Sequence, residues 1–332
     1  MSGARDTSAD EDIGGARLAT RAPFHLEATV RVLQRRPSNP VEIWEQERYL
    51  RVLTLEHGLA LVEVENRGTI DDPDVRLRIR CNHARGVTPT EVGRSVRKML
   101  GLDVDPTPLR NLGEGERTLR STFLALRGMR PPRFATLFEA FANVVPFQQL
   151  SLDAGVAIVA RLVDRFGQRL EHGGRRFYGF PTAPVIGEAR TQTLRSCGLS
   201  SRKAEVLRSI ARSIESGELS EEELSAMSTN VALSTLTELP GIGPWSAGLV
   251  LLRGLGRTDV FPPGDVGAMR RLRALLRLGA RAPLDHIIER FGNRRGYIYF
   301  CVLGESLRTK GLIHAAPRAP HARPFTRTCT RV

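Results

Sequence analysis

Cysteine is scarce and scattered: Cys81, Cys197, Cys301 and Cys329 lie far apart in 332 residues, with no CxxC pair. That spacing argues against a zinc site, an iron–sulfur cluster and a disulfide framework. No stretch approaches the roughly 18 uninterrupted apolar residues that a membrane helix needs. The first twenty residues carry Asp6, Asp10, Glu11 and Asp12 without an apolar core segment, so a secretory signal is not expected there. Lysine is nearly missing too. Lys98, Lys203 and Lys310 are its only three occurrences, so 46 of the 49 basic residues are arginine.

Against 36 acidic residues, this leaves a formal charge of +13. Planar, bidentate guanidinium groups suit a polyanionic partner. The same composition also fits arginines spread over solvated faces in a protein from a GC-rich genome, and charge alone leaves both readings open. The length allows two or three domains of about 100–200 residues each. With 41% apolar residues, a real core can be buried. The expectation is a cytoplasmic, multi-domain protein.

Residues 1–20 are polar and aperiodic and read as a flexible leader. A β-rich N-terminal domain is expected over 21–108. Leu26, Ala28, Val30 and Val32 alternate with polar residues, as do Val75, Leu77, Ile79 and Cys81 with Arg76, Arg78 and Arg80. Period-2 alternation marks strands with one buried face. Breaks at Pro37–Pro40, His57–Gly58 and Asp71–Pro73 space them as an antiparallel meander, whose arginine-lined outer face reads as solvated. Thr88-Pro89-Thr90-Glu91 then predicts a capped helix start.

From 109 to 314 the period becomes helical. Apolar stripes such as Val156, Val159, Val163 and Phe166 recur, and a helix opens behind a Ser201 cap. Further helices are predicted at 134–145, 220–227, 230–237, 245–254, 266–277, 284–291 and 296–308. The stretch 315–332 alternates proline and arginine and reads as a disordered basic tail. The fold class is therefore α+β and mainly α, a small antiparallel β domain followed by a helical one.

The chemistry concentrates in Leu239-Pro240-Gly241-Ile242-Gly243-Pro244-Trp245-Ser246-Ala247-Gly248. One helix ends, the chain turns on two glycines, and another begins with Pro244 at its first position. The bare N–H groups of such a turn can hold a DNA phosphate without any side chain. About twenty residues later, Phe261-Pro262-Pro263-Gly264-Asp265 forms a Pro/Gly loop that ends in one carboxylate, with a helix directly after it.

A Leu-Pro-Gly-Ile-Gly hairpin at about 230–254, followed at this distance by a Pro/Gly loop and Asp, resembles the helix-hairpin-helix/Gly-Pro-Asp superfamily of DNA glycosylases. Within it, the chain is most similar to the bacterial 3-methyladenine DNA glycosylase II (AlkA-type) branch. Phe147-Gln148-Gln149-Leu150-Ser151-Leu152, Phe180-Pro181-Thr182 and Gly198-Leu199 with Arg202-Lys203-Ala204 match further motifs of that branch in order. The resemblance implies a two-lobed helical core and a monomer acting on double-stranded DNA that contains damaged bases, in the nucleoid.

Asp265 would be the catalytic carboxylate. Gly241, Ile242 and Gly243 would hold a phosphate, and Gln149 falls where the family places a wedge. The resemblance implies no metal and no cofactor beyond a structural monovalent cation shared by hairpin carbonyls. Bifunctional relatives carry a lysine where this chain has Trp245, which implies a monofunctional enzyme that uses water. Trp245, Phe147, Leu249 and Arg294 would line the base pocket.

Departures are visible. Leu249 and Arg294 stand where aromatics are expected, and Val266 follows Asp265 where tyrosine is frequent, which leaves Phe24, Phe147 and Trp245 as the aromatic candidates. Arg270 with Arg271 and Arg294 with Arg295 read as solvated helix faces or phosphate contacts, and His286 with Glu289 makes no metal site. Asp265 could also serve only as an N-cap, worth about 1 kcal/mol.

Three functions follow. The first is excision of alkylated purines. The second is excision of deaminated or oxidised bases. The third is a catalytically silent DNA-binding protein, in which Asp265 would be consumed by capping beside a filled cleft.

Overall fold

A computed structural model describes residues 11–81, 86–108, 112, 117–279 and 282–317. The N-terminal sheet contains β1 (Glu11–Leu18), β2 (Ile43–Glu45), β3 (Arg48–Leu55), β4 (Gly58–Asn66) and β5 (Val75–Cys81), in the antiparallel order β1-β5-β4-β3-β2. In β5 the predicted alternation holds residue by residue, with Val75, Leu77, Ile79 and Cys81 buried. On its outer side Arg76 pairs with Asp74 and Arg78 with Glu63, so these guanidiniums belong to a solvated, internally paired face.

Two expectations fail here. Residues 11–18 are no leader: they are β1, paired along β5 from Glu11–Cys81 to Leu18–Val75. Leu26–Val32 is no strand either, but part of helix α1 (Leu26–Gln34), capped by His25 Nδ1 accepting the Ala28 N–H. Both faces of α1 are covered, so burial runs almost continuously and hides the helical period. Its polar pair, Glu27 and Arg31, is four apart, a spacing that fits a strand or a helix equally.

Helix α2 (Pro89–Leu100) begins as predicted, with Thr88 Oγ1 accepting the Glu91 N–H at 3.2 Å. The helical part runs through α3 (Arg120–Ala125), α4 (Leu137–Ala142), α5 (Leu152–Phe166), α6 (Ala183–Glu188), α7 (Thr191–Ser196), α8 (Ser201–Glu215), α9 (Glu221–Ala226) and α10 (Thr229–Glu238). It continues through α11 (Pro244–Val250), which extends as a π turn over Leu251–Leu255, then α12 (Val266–Leu275), α13 (Leu284–Glu289) and α14 (Arg295–Arg308). The predicted 134–145 helix contracts because Thr136 caps it three residues in. The cap of α8 is Ser200 rather than Ser201.

The 109–314 region is also not purely helical. β6 (Arg169–His172) and β7 (Arg175–Tyr178) form a hairpin across Gly173–Gly174, and Leu170 and Phe177 pack on Val52, Leu59 and Leu61 of the sheet. Of the expected tail, Ala316 and Pro317 are tied down: Ala316 N–H donates to Ala125 O, and Pro317 O accepts from Arg127. Residues 318–332 lie outside the described residues. One apolar core runs through both parts of the chain. α1 contacts β3 on one side and α14 on the other, which brings its C-terminal end to the site described next.

Candidate active site

The double-glycine turn follows from local constraints. Leu239 O accepts the Ile242 N–H at 3.0 Å, and Gly241 adopts φ +82. A Cβ on Gly241 would lie 2.5 Å from Val206 Cγ2, whereas one on Gly243 would meet open space. Gly241→Ala should therefore cost about 1–3 kcal/mol in a urea titration, and Gly243→Ala less than about 0.5 kcal/mol. Equal losses would contradict this geometry. The Ile242 side chain is buried, so only its backbone can face DNA.

The turn is clamped from the Phe147–Leu150 segment. Gln148 Nε2 donates to Gly241 O and to Ser246 Oγ, both at 2.9 Å. Lys203 Nζ donates to Pro146 O at 3.1 Å and Gln148 O at 2.6 Å. So fastened, the segment holds Gln149 exposed in the left-handed region at φ +56, with Leu150 beside it 46% exposed. Val266 is 77% exposed across the same groove, a second bare apolar side chain.

The Asp265 carboxylate caps a helix and does more than cap. Its Oδ1 accepts the Ala268 N–H at 2.8 Å and caps α12. Its Oδ2 accepts the Trp245 Nε1–H and the Tyr299 O–H, each at 3.2 Å. A carboxylate offers about four lone-pair sites, so one on Oδ1 stays free. Burial, reinforced by Asp265, pushes the Tyr299 phenol well above its ordinary value and keeps it a protonated donor.

The half-buried carboxylate stands between two adjoining cavities. One, of about 450 Å³, is lined by Phe147, Trp245, Leu249, Tyr299 and Arg35 among others. The second, of about 690 Å³, runs past Gln149, Leu150, Gly241, Gly243 and Val266. Asp265 therefore faces an open cleft, and the capping-only reading fails on that geometry.

Three of the four predicted pocket residues, Trp245, Phe147 and Leu249, meet in the first cavity. Arg294 does not. It sits on a 3₁₀ turn, Gly292–Arg294, away from both cavities, and the cations at this wall are Arg35, Arg36, Arg270, Arg271 and Lys310 instead. Phe24 is also excluded, being fully buried beneath the Arg130 guanidinium. Sequence reasoning missed Tyr299 and Arg35, which come from distant helices and carry no local signal. It missed Gln148 as well, although that residue lies inside a motif already singled out.

A glycine hairpin facing a groove, with one anchored carboxylate at the mouth of a cavity, fits the base-excision DNA glycosylases that the motifs resemble, and the comparisons with known proteins place the chain in that class. The family model described as "HhH-GPD superfamily base excision DNA repair protein" matches residues 143–293, and "AlkA N-terminal domain" matches 16–136. The chain is 30% identical over 267 residues to the DNA-3-methyladenine glycosylase of Bacillus subtilis, covering 75% of this chain and 88% of that protein. It is 30% identical over 213 residues to DNA-3-methyladenine glycosylase 2 of Escherichia coli, covering 63% and 72%.

Among solved structures, 3-methyladenine DNA-glycosylase from Archaeoglobus fulgidus superposes with a TM-score of 0.72 at 29% identity, over 91% of this chain and all of that one. The chain thus belongs to the AlkA-type DNA-3-methyladenine glycosylase family, and DNA is its partner. Among the described residues, no helix is long and apolar enough to cross a membrane.

Proposed function

We propose that this protein hydrolyses the N-glycosidic bond of alkylated purines of the 3-methyladenine type in duplex DNA and leaves an abasic site. One observation carries the reading: the Asp265 carboxylate, anchored through Oδ2 by Trp245 and Tyr299, keeps a free lone pair on Oδ1 at the junction of the 450 Å³ cavity and the hairpin groove.

The scissile bond lies inside the stack, so the nucleotide must first be flipped out, at a cost of a few kcal/mol. Gln149 and Leu150, projecting from their clamped turn, are placed to fill the vacated space. The N–H groups of Gly241 and Gly243 would hold the adjacent phosphate, that of Ile242 being donated to Leu239 O. Breaking the C1′–N bond builds positive charge on the sugar. A preorganised carboxylate stabilises that charge and orients the attacking water. An alkylated cationic purine leaves with its bond electrons unaided, so no second acid is needed.

Trp245 occupies the position of the lysine nucleophile in bifunctional relatives, so the reaction stops at the abasic site. The carbonyls of Leu239 and Gly241 each already accept one protein hydrogen bond and keep a second lone pair. Such neutral donors would suit a monovalent cation shared with the DNA phosphate. A monomer working on the nucleoid in the cytoplasm completes the reading.

Methylated duplex DNA incubated with the protein should release free methylated purine and gain alkali-labile sites, and borohydride should trap no covalent complex. Absence of released base would overturn the assignment. Binding should also weaken with salt. For about four phosphate contacts, log K falls against log[salt] with a slope of about −4. A flat profile by fluorescence anisotropy would contradict a phosphate-holding hairpin.

A further inference from the structure

Arg35 reaches into the base cavity and packs on the Phe147 ring. Arg35 closes α1 with φ +63, a left-handed backbone that non-glycine residues rarely adopt. Its guanidinium lies 5.0 Å from the centroid of the Phe147 ring, in the cavity bordered by Asp265, Trp245 and Tyr299. Of the other arginines nearby, Arg36 is paired with Asp153 and Arg31 with Gln34 and Glu27, while Arg270 on the same wall is exposed to solvent. The Arg35 side chain makes no hydrogen bond or ion pair with any described residue. Burial pulls its pKa below the ordinary value, against the pull of the nearby Asp265 carboxylate.

We propose that Arg35 widens the range of the same site by charge, adding uncharged alkylation products with a hydrogen-bond acceptor, such as a cyclic etheno adduct of adenine, to the cationic N-alkylpurines, which it slows without excluding. The inference rests on the glycosylase reading above and adds a specificity residue to it. A cationic base would meet a desolvated like charge, and it would find the Phe147 face, its natural cation–π surface, already taken. A neutral base has the opposite difficulty, because it leaves poorly. As the C1′–N9 bond breaks, its electron pair passes to the base, and a guanidinium donating to a ring nitrogen stabilises that charge. The oxygen of water bonds to C1′, and one water proton ends on the departed base. Arg35 keeps all of its own protons.

The test compares single-turnover rates on duplexes carrying one 1,N6-ethenoadenine or one 7-methylguanine. Arg35→Asn suits the position because Asn tolerates the left-handed backbone. It should slow the neutral lesion about 10²-fold, the scale of one preorganised donor, and leave the cationic lesion faster. Arg35→Lys keeps the charge but loses the planar fork. It should slow the neutral lesion several-fold without speeding the cationic one, and it decides the matter if the Asn variant does not fold. Equal slowing of both lesions in a folded variant would mean a merely structural arginine and overturn the inference. A wild-type protein that released neither base would instead sink the proposed function itself.

Discussion

Asp265→Asn is expected to lower single-turnover excision of methylated purine at least about 10²–10³-fold, the scale of removing one preorganised electrostatic group. Binding to an abasic duplex should persist, and stability should fall by only about 1 kcal/mol. The separation is possible because capping and catalysis use the same side chain differently. Asn is as good an N-cap as Asp, so its carbonyl can still accept the Ala268 N–H. Its amide nitrogen then confronts two donors, Trp245 Nε1–H and Tyr299 O–H, which accounts for the modest stability loss. What disappears is the negative charge beside C1′. A variant within tenfold of wild type would place the catalytic group elsewhere. One that lost activity only because it unfolded would show a shifted denaturation midpoint of several kcal/mol.

Local signals were legible and distant ones were not. The hairpin, the Pro/Gly loop and the Thr88 cap each depend on the residue types a few positions apart, so their geometry could be anticipated. β5 was legible because one of its faces is wholly buried and the other is partly exposed arginine, with Arg76 and Arg78 in ion pairs. α1 was not, because its Glu27–Arg31 spacing satisfies two periods and its burial satisfies neither. The β6–β7 hairpin did carry a signal, two adjacent glycines between short alternating runs, but the surrounding helical stripes masked it.

The site divides in the same way. Asp265 and Trp245 lie on the elements that flank the hairpin and were named from the motif. Tyr299 reaches Asp265 only because α14 packs across α12, and Arg35 only because α1 packs across α14. The expectation that Arg294 lines the pocket fails for the same reason, since the 3₁₀ turn Gly292–Arg294 carries it away from the cavity.

The largest expected loss of stability lies away from the chemistry, where the sheet meets the helices. Arg51 of β3 bridges Glu42 and Glu139 of α4, all three almost wholly buried, and the Tyr49 hydroxyl donates to Glu42. Burial pushes the Glu42 carboxyl above its ordinary range, and Arg51 is the main group holding it down. Arg51→Met would leave two buried carboxylates without their cation, a change that costs about 3–5 kcal/mol, against a total stability of about 5–15 kcal/mol.

The pH dependence has a definite sign. Unpaired and buried, the Glu42 carboxyl would bind its proton more tightly folded than unfolded, so the variant's stability should fall as pH rises above about 4.3, the unfolded glutamate value. The deficit in urea titrations should therefore be smaller at pH 5 than at pH 8. Removing all three charges together, as Glu42→Leu with Arg51→Met and Glu139→Leu, should recover much of the loss, because a well-packed apolar replacement leaves no charge stranded. If the single and triple variants proved equally unstable at both pH values, the triad would matter through its shape alone, and the sheet would be joined to the helices by packing rather than by charge.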